Sequence, residues 1–153
     1  MLRAVVPLLA SIAVAASNMS CGMCTLVAVS EGLHLTIEGA GAPLADGRYT
    51  VVVRADDQEL TAELDVTGGA MQCISCPVNG DGRLVIQDGF KGLDIGYTEE
   101  GAGGPRVIAV EVRRDDHVLA QQTYEPRYVV DEPNGRGCGE VRTASATLAI
   151  PAP

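Results

Sequence analysis

The sequence predicts an all-β fold, a single antiparallel β-sandwich of about eight strands. Three observations carry that expectation. Apolar residues recur at every second position in several short runs, the pattern of strands that bury one face. Turn-forming residues interrupt those runs at intervals of roughly 8 to 12 residues. Nowhere does an apolar period of ~3.6 residues persist long enough to mark an amphipathic helix.

Taken in order, the first pair is expected at residues 25–29 and 33–37, the second placing Leu33, Leu35 and Ile37 inward and His34, Thr36 and Glu38 outward. The Gly/Ala/Pro stretch 39–47 reads as a loop. Tyr49, Val51 and Val53 then alternate with Thr50, Val52 and Arg54, and after the turn Ala55-Asp56-Asp57-Gln58 the chain returns through Leu60, Ala62, Leu64 and Val66. Gly68-Gly69 ends that strand. An irregular middle follows, with Cys73, Cys76, the turn Asn79-Gly80-Asp81-Gly82, a short strand at 84–86 and a glycine-punctuated segment at 89–104.

A second hairpin is expected from 107–112 and 118–123, turning at Arg114-Asp115-Asp116 and burying Ile108, Val110 and Val112. The turn-rich loop 131–139 leads to a closing strand at 141–150, with Ala144, Ala146, Leu148 and Ile150 on one face and Thr143, Ser145 and Thr147 on the other. Pro151-Ala152-Pro153 cannot extend a ladder. These elements suit an immunoglobulin-like or transthyretin-like sandwich, without the antibody hallmark, because the chain has no tryptophan to pack on a bridged cysteine pair.

Residues 1–20 read as a secretory signal and residues 21–153 as one domain. Arg3 precedes an apolar run too short to cross a bilayer as a helix of ~20 residues. Small residues at Ala13, Ala15 and Ser17 suit cleavage of a soluble precursor, whereas Ser20-Cys21-Gly22 resembles the lipid-accepting cysteine of lipoproteins, with Asn18 in place of the usual apolar residue. Five cysteines cannot all pair within one chain, and lipid on Cys21 leaves an even set, Cys24, Cys73, Cys76 and Cys138, as disulfide candidates. Four cysteines allow ~3 pairings, and spacing does not choose among them.

The net charge is −9. Such an acidic surface repels phosphates, which argues against nucleic acid, and leaves a lipid anchor at Cys21 as the expected route to a membrane.

The run Tyr124-x-Pro126-x-Tyr128, followed by Pro133-Asn134-Gly135-Arg136-Gly137-Cys138-Gly139-Glu140, resembles the closing stretch of small β-sandwich domains in uncharacterised bacterial exported proteins and lipoproteins. The resemblance covers the last thirty or so residues and implies fold and compartment, with no reaction. In that pattern a second cysteine follows closely; here Val141 and Arg142 stand there, so Cys138 must find a distant partner or stay free.

Candidate chemistry is sparse. Cys21-x-x-Cys24 and Cys73-x-x-Cys76 have the spacing of thiolate zinc pairs, and Met71-x-Cys73-x-x-Cys76 matches a soft-metal carrier motif. Pro77 and the glycine turn beyond it deny that motif its helix, and they deny a redox pair the helix N-terminus that lowers a thiol pKa. Asn79, Asp81, Gly82 and Asp88 mimic part of a calcium loop, but Pro77 occupies its first position. His34 and His117 are expected on the surface, and no nucleophile elbow or zinc-protease run accompanies them. Tyr124 and Tyr128 are the candidate contacts of a binding loop. The expectation is therefore a non-enzymatic, cofactor-free module outside the cytosol, at the cell surface or in the periplasm. It would be stapled by disulfides and would bind a protein or small molecule. The alternative is a periplasmic copper, zinc or redox protein using Met71, Cys73 and Cys76.

Overall fold

The computed structural model describes residues 24, 28, 30–77, 84–99 and 102–151. The signal segment, Cys21, residues 25–27 and 29 of the first expected strand, and the turn at 79–82 lie outside the described residues. Among those described there is no helix. Ten strands form: β1 Gly32–Gly39, β2 Gly47–Ala55, β3 Gln58–Thr67, β4 Ala70–Ser75, β5 Leu84–Gly89, β6 Gly92–Tyr97, β7 Ile108–Arg114, β8 His117–Tyr124, β9 Val129–Asp131 and β10 Val141–Ile150.

They make two five-stranded sheets, ordered β5-β6-β1-β10-β9 and β4-β3-β2-β7-β8. One core lies between them, and both sheets contribute to it: Leu33, Leu35, Ile86, Leu93, Ile95 and Leu148 from the first, Val51, Val53, Leu64, Val66, Ile108 and Val110 from the second. The alternation expected in β2, β3, β7 and β10 is the alternation observed. Val52 is the exception, buried on the opposite face of β2 beside Glu111, its register partner on β7.

The acidic turns do more than solubilise. Asp115 and Asp116 both carry positive φ, 48° and 64°, and join β7 to β8 in two residues. Positive φ at both central positions gives a turn whose twist matches that of the flanking strands, and aspartate tolerates this region better than most residues. Gly68 and Gly69, at φ 60° and 80°, join β3 to β4 in the same way.

Two features of the described residues depart from the sequence expectation. Strands β4, β6 and β9 form within segments that read as irregular, so the described residues hold ten strands. The sheets are not purely antiparallel, since β1 and β10 pair in parallel, from Gly32↔Thr143 to Gly39↔Ile150. The neighbours of β1 are β6 and β10, both distant in the chain. Parallel neighbours need a long connection, and here that connection is most of the domain.

Candidate functional site

The outer face of the first sheet gathers the polar side chains that the alternation of β1, β6 and β10 turns away from the core. His34 on β1 is the register partner of Asp94 on β6 and of Ser145 on β10, and Asp94 is in turn the partner of Gln87 on β5. Gln87, Asp94, His34 and Ser145 therefore form one row across four strands. Within it His34 Nδ1 lies 2.7 Å from Asp94 Oδ1, and the aspartate side chain is 13% exposed against 35% for the histidine. The solvated histidine expected from the sequence is thus half-buried and paired, its partner sitting on a strand the sequence did not announce.

Glycine shapes the surface around this row. Gly92 and Gly96 occupy the outward positions of β6 on either side of Asp94, and a Cβ on Gly92 would lie 1.9 Å from the carbonyl oxygen of Leu35. Two open depressions lie beside this row, of about 480 and 470 Å³; Ala28, Ser30 and Asp94 line both, and Gly96 lines the second. His34, Thr36, Ser145 and the ring of Phe90, 88% exposed at the β5–β6 turn, line the first.

An aspartate holding one imidazole nitrogen leaves the other to accept or donate, and a serine next in the row completes the order of a nucleophilic relay. Acyl transfer also needs backbone N–H groups aimed at an oxyanion. Here β1 and β6 are interior strands laddered on both sides, which commits their N–H groups to the sheet. Chemically the row is a set of side-chain donors and acceptors around a carboxylate–imidazole pair.

The sequence-predicted residues fall elsewhere. Tyr124 ends β8 with its hydroxyl donating to the carbonyl of Thr147 at 3.1 Å, and burial raises its pKa. Tyr128 donates to the carbonyl of Pro105 at 2.9 Å. Burial, reinforced by Tyr97 and Asp56, pushes the Tyr128 phenol well above its usual range. Tyr97 itself donates to Asp56 at 2.5 Å. Both candidate tyrosines thus spend their hydroxyls on main-chain carbonyls.

Cys24 is bridged to Cys138 and Cys73 to Cys76, with Cα–Cα distances of 5.6 and 5.9 Å. Cys73 lies on β4, two residues from Met71, and its N–H donates to Asp88 at 2.9 Å, so this carboxylate of the supposed calcium loop tethers β4 to β5. With both sulfurs bonded, Cys73 and Cys76 offer thiolates beside the Met71 thioether only after reduction. Among the described residues no three His, Cys, Asp or Glu side chains gather closely enough to hold a metal ion. No family model matches the chain, and neither a curated protein nor a solved structure does.

Proposed function

We propose that the chain is an exported binding module: an immunoglobulin-like or transthyretin-like sandwich, released from a signal at residues 1–20 and working in the periplasm or at the cell surface. On this reading it catalyses no reaction, and its ligand, a protein or small molecule, docks on the outer face of β6-β1-β10. There the His34–Asp94 pair, Ser145 and the exposed Phe90 offer hydrogen bonds beside an apolar ring. The observation that carries the exported reading is that every described cysteine is bridged, as suits an oxidising compartment. Lipid on Cys21 would complete the use of all five.

Intact mass of the protein taken from its producing cells, with a count of free thiols, tests it. Loss of residues 1–20 and four oxidised cysteines is the expected result, with diacylglycerol on Cys21 marking the anchored form. A cytosolic, reduced chain retaining residues 1–20 would end this reading. Free thiols with bound copper or zinc would favour the soft-metal alternative at Met71, Cys73 and Cys76.

A further inference from the structure

Away from the outer face, the loop between β1 and β2 folds over the end of the core and leaves a cavity of about 230 Å³. Pro43, Leu44, Leu119 and Ile150 are among the apolar side chains of its lining, and its polar groups come from Tyr49 and Arg114. The guanidinium of Arg114 is held in place from several directions. Nη2 donates to the carbonyl of Asp46 at 2.8 Å, Nη1 reaches the hydroxyl of Tyr49 at 3.4 Å, and the group lies 5.4 Å from the centre of the Tyr49 ring. Gly47, at φ 136°, makes room for it, since a Cβ there would stand 3.0 Å from Nη2.

Among the described residues this positioned cation lacks a carboxylate within hydrogen-bond distance. Arg54 pairs with Glu59 at 2.5 Å and Arg113 pairs with Glu111. Among the described residues Arg114 has only Asp115, 3.9 Å from Nε and 90% exposed, in a chain whose net charge is −9. Asp46 directs its own carboxylate to the N–H of Gly68. The arginine side chain is 33% exposed, so its charge is partly desolvated, and the residue lines the cavity.

We propose that this cavity binds a small aliphatic monocarboxylate, its chain among Leu44, Leu119 and Ile150 and its carboxylate on Arg114. The volume equals that of roughly eight liquid waters at ~30 Å³ each, room for a chain of about six to eight carbons. A fixed guanidinium suits a carboxylate's two oxygens. A peptide carboxy terminus shares the head group, but its backbone amides would be buried against aliphatic walls that offer them few partners. The inference stands independently of the outer-face site.

The test is a methyl NMR titration of the purified, bridged full chain with octanoate, 1-octanol and an apolar tetrapeptide bearing a free carboxy terminus. Octanoate is expected to shift the methyls of Leu44, Leu119 and Ile150 with a Kd on the order of 0.1–1 mM. Removing the charge, by Arg114→Gln or by using octanol, is expected to weaken binding about tenfold or more. Ala42→Phe, at an exposed position on the cavity wall, fills the space and is expected to abolish the shifts; it serves as the readout where Arg114→Gln disturbs folding. Octanol binding as tightly as octanoate overturns the proposal, as does octanoate binding undiminished in either variant. Shifts that are absent or confined to other methyls overturn it too, and so does a tetrapeptide preferred over octanoate.

Discussion

Removing the two disulfides separately distinguishes what each does for the domain. Cys24–Cys138 spans a sequence separation of 114 residues and Cys73–Cys76 one of 3. If a bridge stabilises mainly by restricting the unfolded chain, the long loop contributes about 5 kcal/mol and the short one about 2 kcal/mol. Cys24→Ala with Cys138→Ala should therefore destabilise by about 3 kcal/mol more than Cys73→Ala with Cys76→Ala. In non-reducing urea titrations this difference lowers the midpoint by about 1–2 M. The slope of the transition should also rise for the long-loop variant alone, because its unfolded chain expands and exposes more surface. Equal midpoints, or a larger loss from the short-loop variant, would refute the argument from loop length. The short bridge would then owe its value to contacts around β4, where the N–H of Cys73 meets Asp88.

Two further outcomes follow from the packing. Gly92→Ala places a Cβ 1.9 Å from the Leu35 carbonyl oxygen, so β6 must move off β1, at a cost of about 3 kcal/mol or more. Gly68→Ala meets no atom within 4 Å and should cost about 1 kcal/mol, for its left-handed backbone alone; calorimetric melts that rank the two the other way would refute the close approach of β6 to β1. Tyr128 holds its proton more tightly folded than unfolded, so its contribution is whole below the ordinary phenol pKa of 10.0 and is lost as pH rises above it. Urea midpoints should therefore fall above about pH 10, less steeply in Tyr128→Phe, and tyrosinate absorbance should show this residue ionising late. A Tyr128→Phe variant with an unchanged alkaline slope would remove the basis for that burial.

The legible parts of the fold were those whose signal is local. Tyr49, Val51 and Val53 against Leu60, Ala62 and Leu64 announce the β2–β3 hairpin through alternation and a two-residue turn at Asp56-Asp57, and the register is as that turn dictates. β4 lacked such a signal because it is an edge strand, its alternation carried by half-buried Met71 and Cys73. β6 was hidden by its own glycines: Leu93 and Ile95 alternate inward, but Gly92 and Gly96 fill outward positions where polar side chains would have marked a strand. β9 has three residues, all exposed, and so shows no buried face to detect.

The candidate site was less legible than the fold. His34 was assigned correctly to the outward face of β1, yet its pairing with Asp94 crosses 60 residues of sequence, and the strand carrying Asp94 read as loop. Tyr124 and Tyr128 stood out as aromatics near a loop. Their hydroxyls proved to be tied to the carbonyls of Thr147 and Pro105, partners that no local pattern names.

The sequence by itself determined an all-β chain, the hairpins β2–β3 and β7–β8, the span of β10, and which side of each regular strand turns inward. Those properties follow from period-two alternation and from residues that tolerate positive φ, both written within ten residues of chain. Tertiary structure alone decided that β1 and β10 lie parallel, that Cys24 meets Cys138, and that Asp94, His34 and Ser145 share a row. Alternation states which face of a strand is apolar and carries no address for its neighbour. That choice is made by the summed burial and backbone pairing of the whole domain.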